Sequence, residues 1–86
     1  MTVHLPSPLL SYTKGASELE VQCGTLAEML AELDRRFPGI RFRIIDEQDN
    51  VRPHIRLFVN AELVRSIDHP VRPRDDVTIV AAVSGG

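Results

Sequence analysis

The chain has 86 residues and a net charge of −2, with 43% hydrophobic and 26% charged residues. That is room for one small core, and it argues against a substrate pocket of about 300–1,000 Å3 with a full catalytic apparatus beside it. The charge balance gives no nucleic-acid footprint, no apolar run approaches the roughly 20 residues of a membrane span, and the single cysteine, Cys23, leaves no internal disulfide.

Thr2 to Leu10 opens with Val3 and Leu5 alternating with Thr2 and His4 and reads as a strand. Pro6 and Pro8 cannot donate to a ladder and restrict it to an edge, an end or a bulge. Gly15 in Thr13-Lys14-Gly15-Ala16 marks a turn. Ser17 to Gln22 alternates again, with Leu19 and Val21 toward the core and Glu18 and Glu20 toward water. Two strands joined by a short glycine-containing link predict an N-terminal hairpin.

Thr25 and Glu28 have the spacing of a capping box. Leu26, Leu30, Leu33 and Phe37 recur at helical spacing with Met29 beside them, Arg35 and Arg36 complement the helix dipole, and Pro38-Gly39 ends the helix. Ile40 to Ile45 fits either a short strand or one helical turn. Asp46 to Asn50 is a polar loop. His54 to Val59 is the strongest strand, with Ile55, Leu57 and Val59 on one face and Arg56 and Phe58 on the other. Asn60-Ala61 turns into a short strand, Glu62 to Val64, and Pro70 and Pro73 bracket a further loop. Val77 to Val83 is nearly continuous in apolar residues, which predicts a strand inside a sheet.

The order points to an α+β fold of the β-grasp type. The expected sheet is mixed, with four to five strands, one main helix across one face, and the first and last strands parallel through the helical crossover. Residues 1–86 then form one domain, with 83–86 as a flexible C-terminal tail.

The interior of the chain offers little chemistry. His4, His54, His69 and Cys23 lack metal-ligand spacing, and a free cysteine usually packs as a small hydrophobe. Asp75 and Asp76 are neighbours that a strand would send to opposite faces. No phosphate-cradling glycine loop and no serine elbow is present. The nine arginines, interleaved with acids, read either as a solvated surface or as a patch that steers an acidic protein partner. Tyr12, Phe37, Phe42 and Phe58 are too few and too scattered to suggest stacking on RNA. A sheet with a helix on one side leaves its other side open, so Phe58, Val80 and Ala82, with Arg56, form either a partner face or tolerated exposed residues. MTVHLPSPLL has no basic stretch before an apolar one, so no signal peptide is expected, and the location expected is cytoplasmic.

Phe58-Val59-Asn60, Val64, Asp75-Asp76-Val77-Thr78-Ile79 and the ending Val83-Ser84-Gly85-Gly86 resemble the MoaD/ThiS family of ubiquitin-like sulfur carriers. The hairpin and the Thr25 to Phe37 helix fall where that family has them. Arg74-Asp75 stands where the family usually has Gly-Asp. The resemblance implies a carrier that is not itself an enzyme and binds no cofactor or metal. Its Gly86 carboxylate would be adenylated by an ATP-using enzyme of the ubiquitin-activating type and turned into a thiocarboxylate. Gly85, Ser84 and Val83 would be the tail those enzymes recognise. The sulfur would go to a biosynthetic enzyme for molybdopterin, thiamin or cysteine, and the chain could equally be the small subunit of a molybdopterin synthase. Two other readings stay open: a ubiquitin-like modifier that forms isopeptide bonds through Gly86, and a β-grasp binding module whose glycines are incidental.

Overall fold

A computed structural model describes residues 1–82. Strand β1 spans Thr2–His4 and β2 spans Glu18–Glu20, antiparallel with Val3 opposite Leu19. β1 is shorter than the expected Thr2 to Leu10 segment. Pro6 and Pro8 have no N–H for a ladder, and the chain winds into a 3-10 turn at Ser7–Leu9, closed by the Leu9 N–H on the Pro6 carbonyl at 3.0 Å. Leu9 is thereby turned into the core. The link between the two strands is a long loop rather than a tight turn, tied at its base by the Leu5 N–H on the Ser17 carbonyl at 2.8 Å.

Helix α1 spans Leu26–Arg36. The Thr25 hydroxyl accepts from the Glu28 N–H at 3.1 Å, and the Glu28 carboxylate accepts from the Gly24 N–H at 2.7 Å. The predicted capping box therefore closes one residue further out than its usual form. Leu26, Met29, Leu30 and Leu33 are all 0% exposed, as their spacing requires. The ambiguous segment is a second helix, α2, at Ile40–Ile44. A strand would have put Ile40, Phe42 and Ile44 on one face. The helical turn buries Ile40 and Ile44 and leaves Phe42 54% exposed. Gly39 starts this turn at φ 100°, where a side chain would be strained, and the Asp34 carboxylate accepts from the Gly39 and Arg41 N–H groups.

Strands β3 (Ile55–Val59), β4 (Glu62–Val64) and β5 (Asp76–Ala81) complete a five-stranded sheet in the order β2-β1-β5-β3-β4. β5 is parallel to β1, with Val3 opposite Val77, and antiparallel to β3, with Leu57 opposite Ile79. This mixed sheet with one main helix is the expected β-grasp fold. β5 does lie inside the sheet, but its apolar run does not reflect two covered faces: Val77 is 0% exposed and Val80 40%. The strand ends at Ala81, and the expected end at Val83 lies outside the described residues. Arg74 keeps an ordinary negative φ, so the arginine in the position of the usual glycine costs no backbone strain.

Candidate functional site

The candidate surface follows from strand alternation. With Val3, Leu57, Val77 and Ile79 committed to the core, the residues between them face away from it. Pairing lines up Glu18, His4, Thr78, Phe58 and Leu63 across the sheet, and sets Arg56 opposite Val80 in the next outward row. Phe58 and Val80 are thus diagonal neighbours, close enough for their side chains to share one patch. Val80 and Leu63 are each 40% exposed and Phe58 is half-buried. Leu63 belongs to the patch although its sequence gave no sign of it, since a three-residue strand is too short for alternation to show. Arg56 is exposed and donates to the Pro53 carbonyl at 2.6 Å, which holds its guanidinium at the start of β3.

Ala82 is exposed just past β5, and its N–H donates to the His54 carbonyl at 2.7 Å. The chain therefore leaves the sheet at the end where β3 begins. Val83, Ser84, Gly85 and Gly86 lie outside the described residues. A groove of about 500 Å3 opens beside this exit, between the 3-10 loop, α2 and the ends of β3 and β5. Tyr12, Arg43, His54 and Ala82 line it. The sequence had given no sign of this groove, because it joins segments remote from one another in the chain.

The titratable groups elsewhere serve the fold. The Asp75 carboxylate accepts from the Arg72 N–H at 2.8 Å and from the Asn60 amide at 3.1 Å, and these bonds hold its pKa below the usual carboxylate range. Asp76 turns instead to His4, 3.1 Å away. The two carboxylates do not converge on any common point, because Asp75 closes the loop before β5 while Asp76 opens the strand. Cys23 is half-buried with its sulfur 3.9 Å from that of Met1. Burial, reinforced by the negative charge of Glu28, pushes its thiol pKa up and outweighs the opposing pull of the amino terminus and of the Thr25 backbone at the helix start. Among the described residues, no three His, Cys, Asp or Glu side chains gather as a metal site, and no helix is long and apolar enough to cross a membrane.

The sequence model of the ThiS family matches residues 3–86. The sulfur carrier protein CysO of Mycobacterium tuberculosis strain ATCC 25618 / H37Rv is 30% identical over 91 aligned residues, which cover 100% of this chain and 98% of that protein. A chain in the crystal structure of the Amycolatopsis orientalis BexX/CysO complex superimposes with a TM-score of 0.91 at 32% identity, covering 99% of this chain and 98% of that one. The crystal structure of Mycobacterium tuberculosis CysO gives a TM-score of 0.89 at 28% identity, covering 95% of this chain and 98% of that one.

Proposed function

The chain belongs to the ThiS family, and from that membership we propose that it is a sulfur carrier in cysteine biosynthesis whose working group is the Gly86 carboxylate. The observation that carries this reading is the family match, which runs through Gly85-Gly86, together with the 30% identity to CysO over the full chain. In this role the chain is a substrate of other enzymes. Residues 1–82 are the handle and residues 83–86 the tail that enters their active sites.

The chemistry explains the two glycines. A carboxylate is a poor electrophile. Attack of a Gly86 carboxylate oxygen on the α-phosphorus of ATP releases pyrophosphate and leaves an acyl-adenylate. Sulfide from the donor then attacks the acyl carbon, AMP leaves with the electron pair of the broken C–O bond, and loss of the S–H proton gives the thiocarboxylate with no change in sulfur oxidation state. Both steps belong to the activating enzyme and its sulfur donor, so ATP is that partner's cofactor. A tail without Cβ atoms threads a narrow channel, and Gly86 places no methyl beside the reacting carbon. The Phe58, Leu63 and Val80 patch, flanked by Arg56, supports docking of such a partner, because adjoining exposed apolar side chains with a polar rim mark protein contact sites. A cytoplasmic location goes with this role and with a free Cys23 thiol.

Intact mass spectrometry tests the reading. Incubation with the activating enzyme, ATP and a sulfur donor adds about 16 Da, the exchange of one oxygen for sulfur in the acyl group. Gly86→Ala abolishes ATP–pyrophosphate exchange and leaves the melting temperature unchanged. An unmodified wild-type mass, lysine-linked adducts in its place, or full exchange by Gly86→Ala overturns it.

A further inference from the structure

Carboxylates are unevenly placed along β5. At the start of the strand, Asp75 and Asp76 lie near Glu20, which is paired with Thr2, and near Glu62, which is paired with Val59, with Arg72, Arg74 and His4 interspersed among them. The strand ends at Ala81, with Ala82 just past it beside His54. Three grooves surround this second end, and none has a carboxylate in its lining. Arg43 and His54 line both the 500 Å3 groove and a smaller one of about 230 Å3, which also contains Phe42 and Arg52. With a net charge of −2, this concentration of positive charge does not follow from overall composition.

Two of these arginines are held in place. The Arg43 Nε donates to the Tyr12 hydroxyl at 2.6 Å, with its guanidinium carbon 5.9 Å from the centre of the Tyr12 ring. Tyr12 is backed by Gly39, where any Cβ would come within 3.3 Å of its ring. The Arg52 Nε donates to the Phe42 carbonyl at 2.7 Å, and its guanidinium lies 4.6 Å from the centre of the exposed Phe42 ring. In each case Nε is engaged while the terminal nitrogens have no carboxylate partner among the described residues. Arg35, Arg36 and Arg41 differ, since each is paired with Glu32 or Asp49. A side chain already fixed loses less freedom on binding.

We propose that Arg43, Arg52 and His54, with Phe42 at their edge, form a docking site for an acidic segment of the enzyme that takes up the tail. The site lies at the root of the tail, so contact there aims residues 83–86 into the partner. Grooves lined by arginines and free of carboxylates favour approach of an acidic segment by this end. Net negative charge disfavours a nucleic acid as the occupant. This inference rests on the sulfur-carrier reading.

The test uses the full chain as substrate in ATP–pyrophosphate exchange with its activating enzyme. R43E/R52E raises KM roughly tenfold with kcat nearly unchanged and flattens the dependence of KM on salt. R43Q/R52Q shifts KM the same way by less and guards against a charge-reversed chain that fails to fold. R74E, at the opposite end of β5, leaves KM within about twofold, as expected of a surface charge outside the docking face. Equal effects of R43E/R52E and R74E overturn the proposal. So does a fall in KM for R43E/R52E, which assigns the grooves to the chain's own tail, or loss of a concentration-dependent dimer in that variant, which assigns them to a second copy. Absence of any exchange with the wild-type chain defeats the carrier reading itself and the docking site with it, a result visible before any variant is made.

Discussion

The inward and outward faces of β3 and β5 are interleaved residue by residue, yet they serve different ends. Leu57, Val77 and Ile79 are at most 2% exposed and close the core under α1. Phe58, Val80 and Arg56 alternate with them and spend their apolar and cationic surface on the outside of the sheet. Under the proposed carrier role, stability and recognition fall at adjacent positions on the same strands, so substitutions can address one without the other. A small domain gains from this economy, because it has few residues to divide between the two tasks.

The largest expected effect is on the inward side. Leu57→Ala removes a side chain at 0% exposure and leaves a cavity in the core. Such a change costs about 2–5 kcal/mol, a large share of the roughly 5–15 kcal/mol that holds a domain folded. Urea titration followed by far-UV circular dichroism measures it, and a loss below about 1 kcal/mol would mean that this face is not the core. Val80→Asp is the outward counterpart. It leaves the urea midpoint near the wild-type value, a change within about 0.5 kcal/mol, because Val80 is 40% exposed. Its effect falls on partner binding, as a roughly tenfold rise in KM for adenylation. Matching losses of stability and binding in the same variant would break the division between the faces.

Much of that division was legible in the sequence, since it rests on local periodicity. The period-two run from His54 to Val59 sorted Leu57 from Phe58, and the helical run from Leu26 to Leu33 set out the buried stripe. What escaped was decided by contacts between distant segments or by elements too short to show a pattern. Leu63 sits on a three-residue strand whose outward side is set by pairing with Phe58. α2 is settled by burial of Ile40 and Ile44 and by the Asp34 carboxylate, not by its own five residues. The groove at the chain exit needs Tyr12 beside Arg43, and no local rule brings those two together. The ending Val83-Ser84-Gly85-Gly86 was readable only through family resemblance, because four residues are too few to show a period.

α1 shows the same contrast on a smaller scale, with an apolar stripe inward and a polar face outward. Thr25→Ala removes the hydroxyl that accepts from the Glu28 N–H and costs about 1 kcal/mol. Thermal melting measures this loss. Restoration by Thr25→Ser, which keeps the hydroxyl, separates the cap from the effect of the lost methyl group. An alanine variant as stable as wild type would show that the backbone N–H is satisfied equally well by water.

The smallest effect lies on the water-facing side of α1. Glu32 accepts from Arg35 at 2.6 and 2.9 Å and from Arg36 at 2.7 Å, and these bonds draw its carboxyl down from 4.5 to about 2. A carboxylate whose pKa is lowered by folding adds stability that is fully present above its unfolded value and is lost as pH falls through its folded one. The contribution is therefore complete above pH 4.5 and fades toward pH 2. Its size is limited, because water and salt screen an exposed pair. Comparison of wild type with Glu32→Gln isolates it. The difference in melting temperature should be constant above pH 4.5, shrink toward zero near pH 2, and diminish at every pH as salt is raised. A difference that persists unchanged to pH 2 would show that Glu32 acts through packing or neutral hydrogen bonds. The outer side of the helix would then depend on shape, as its inner side does, and not on charge.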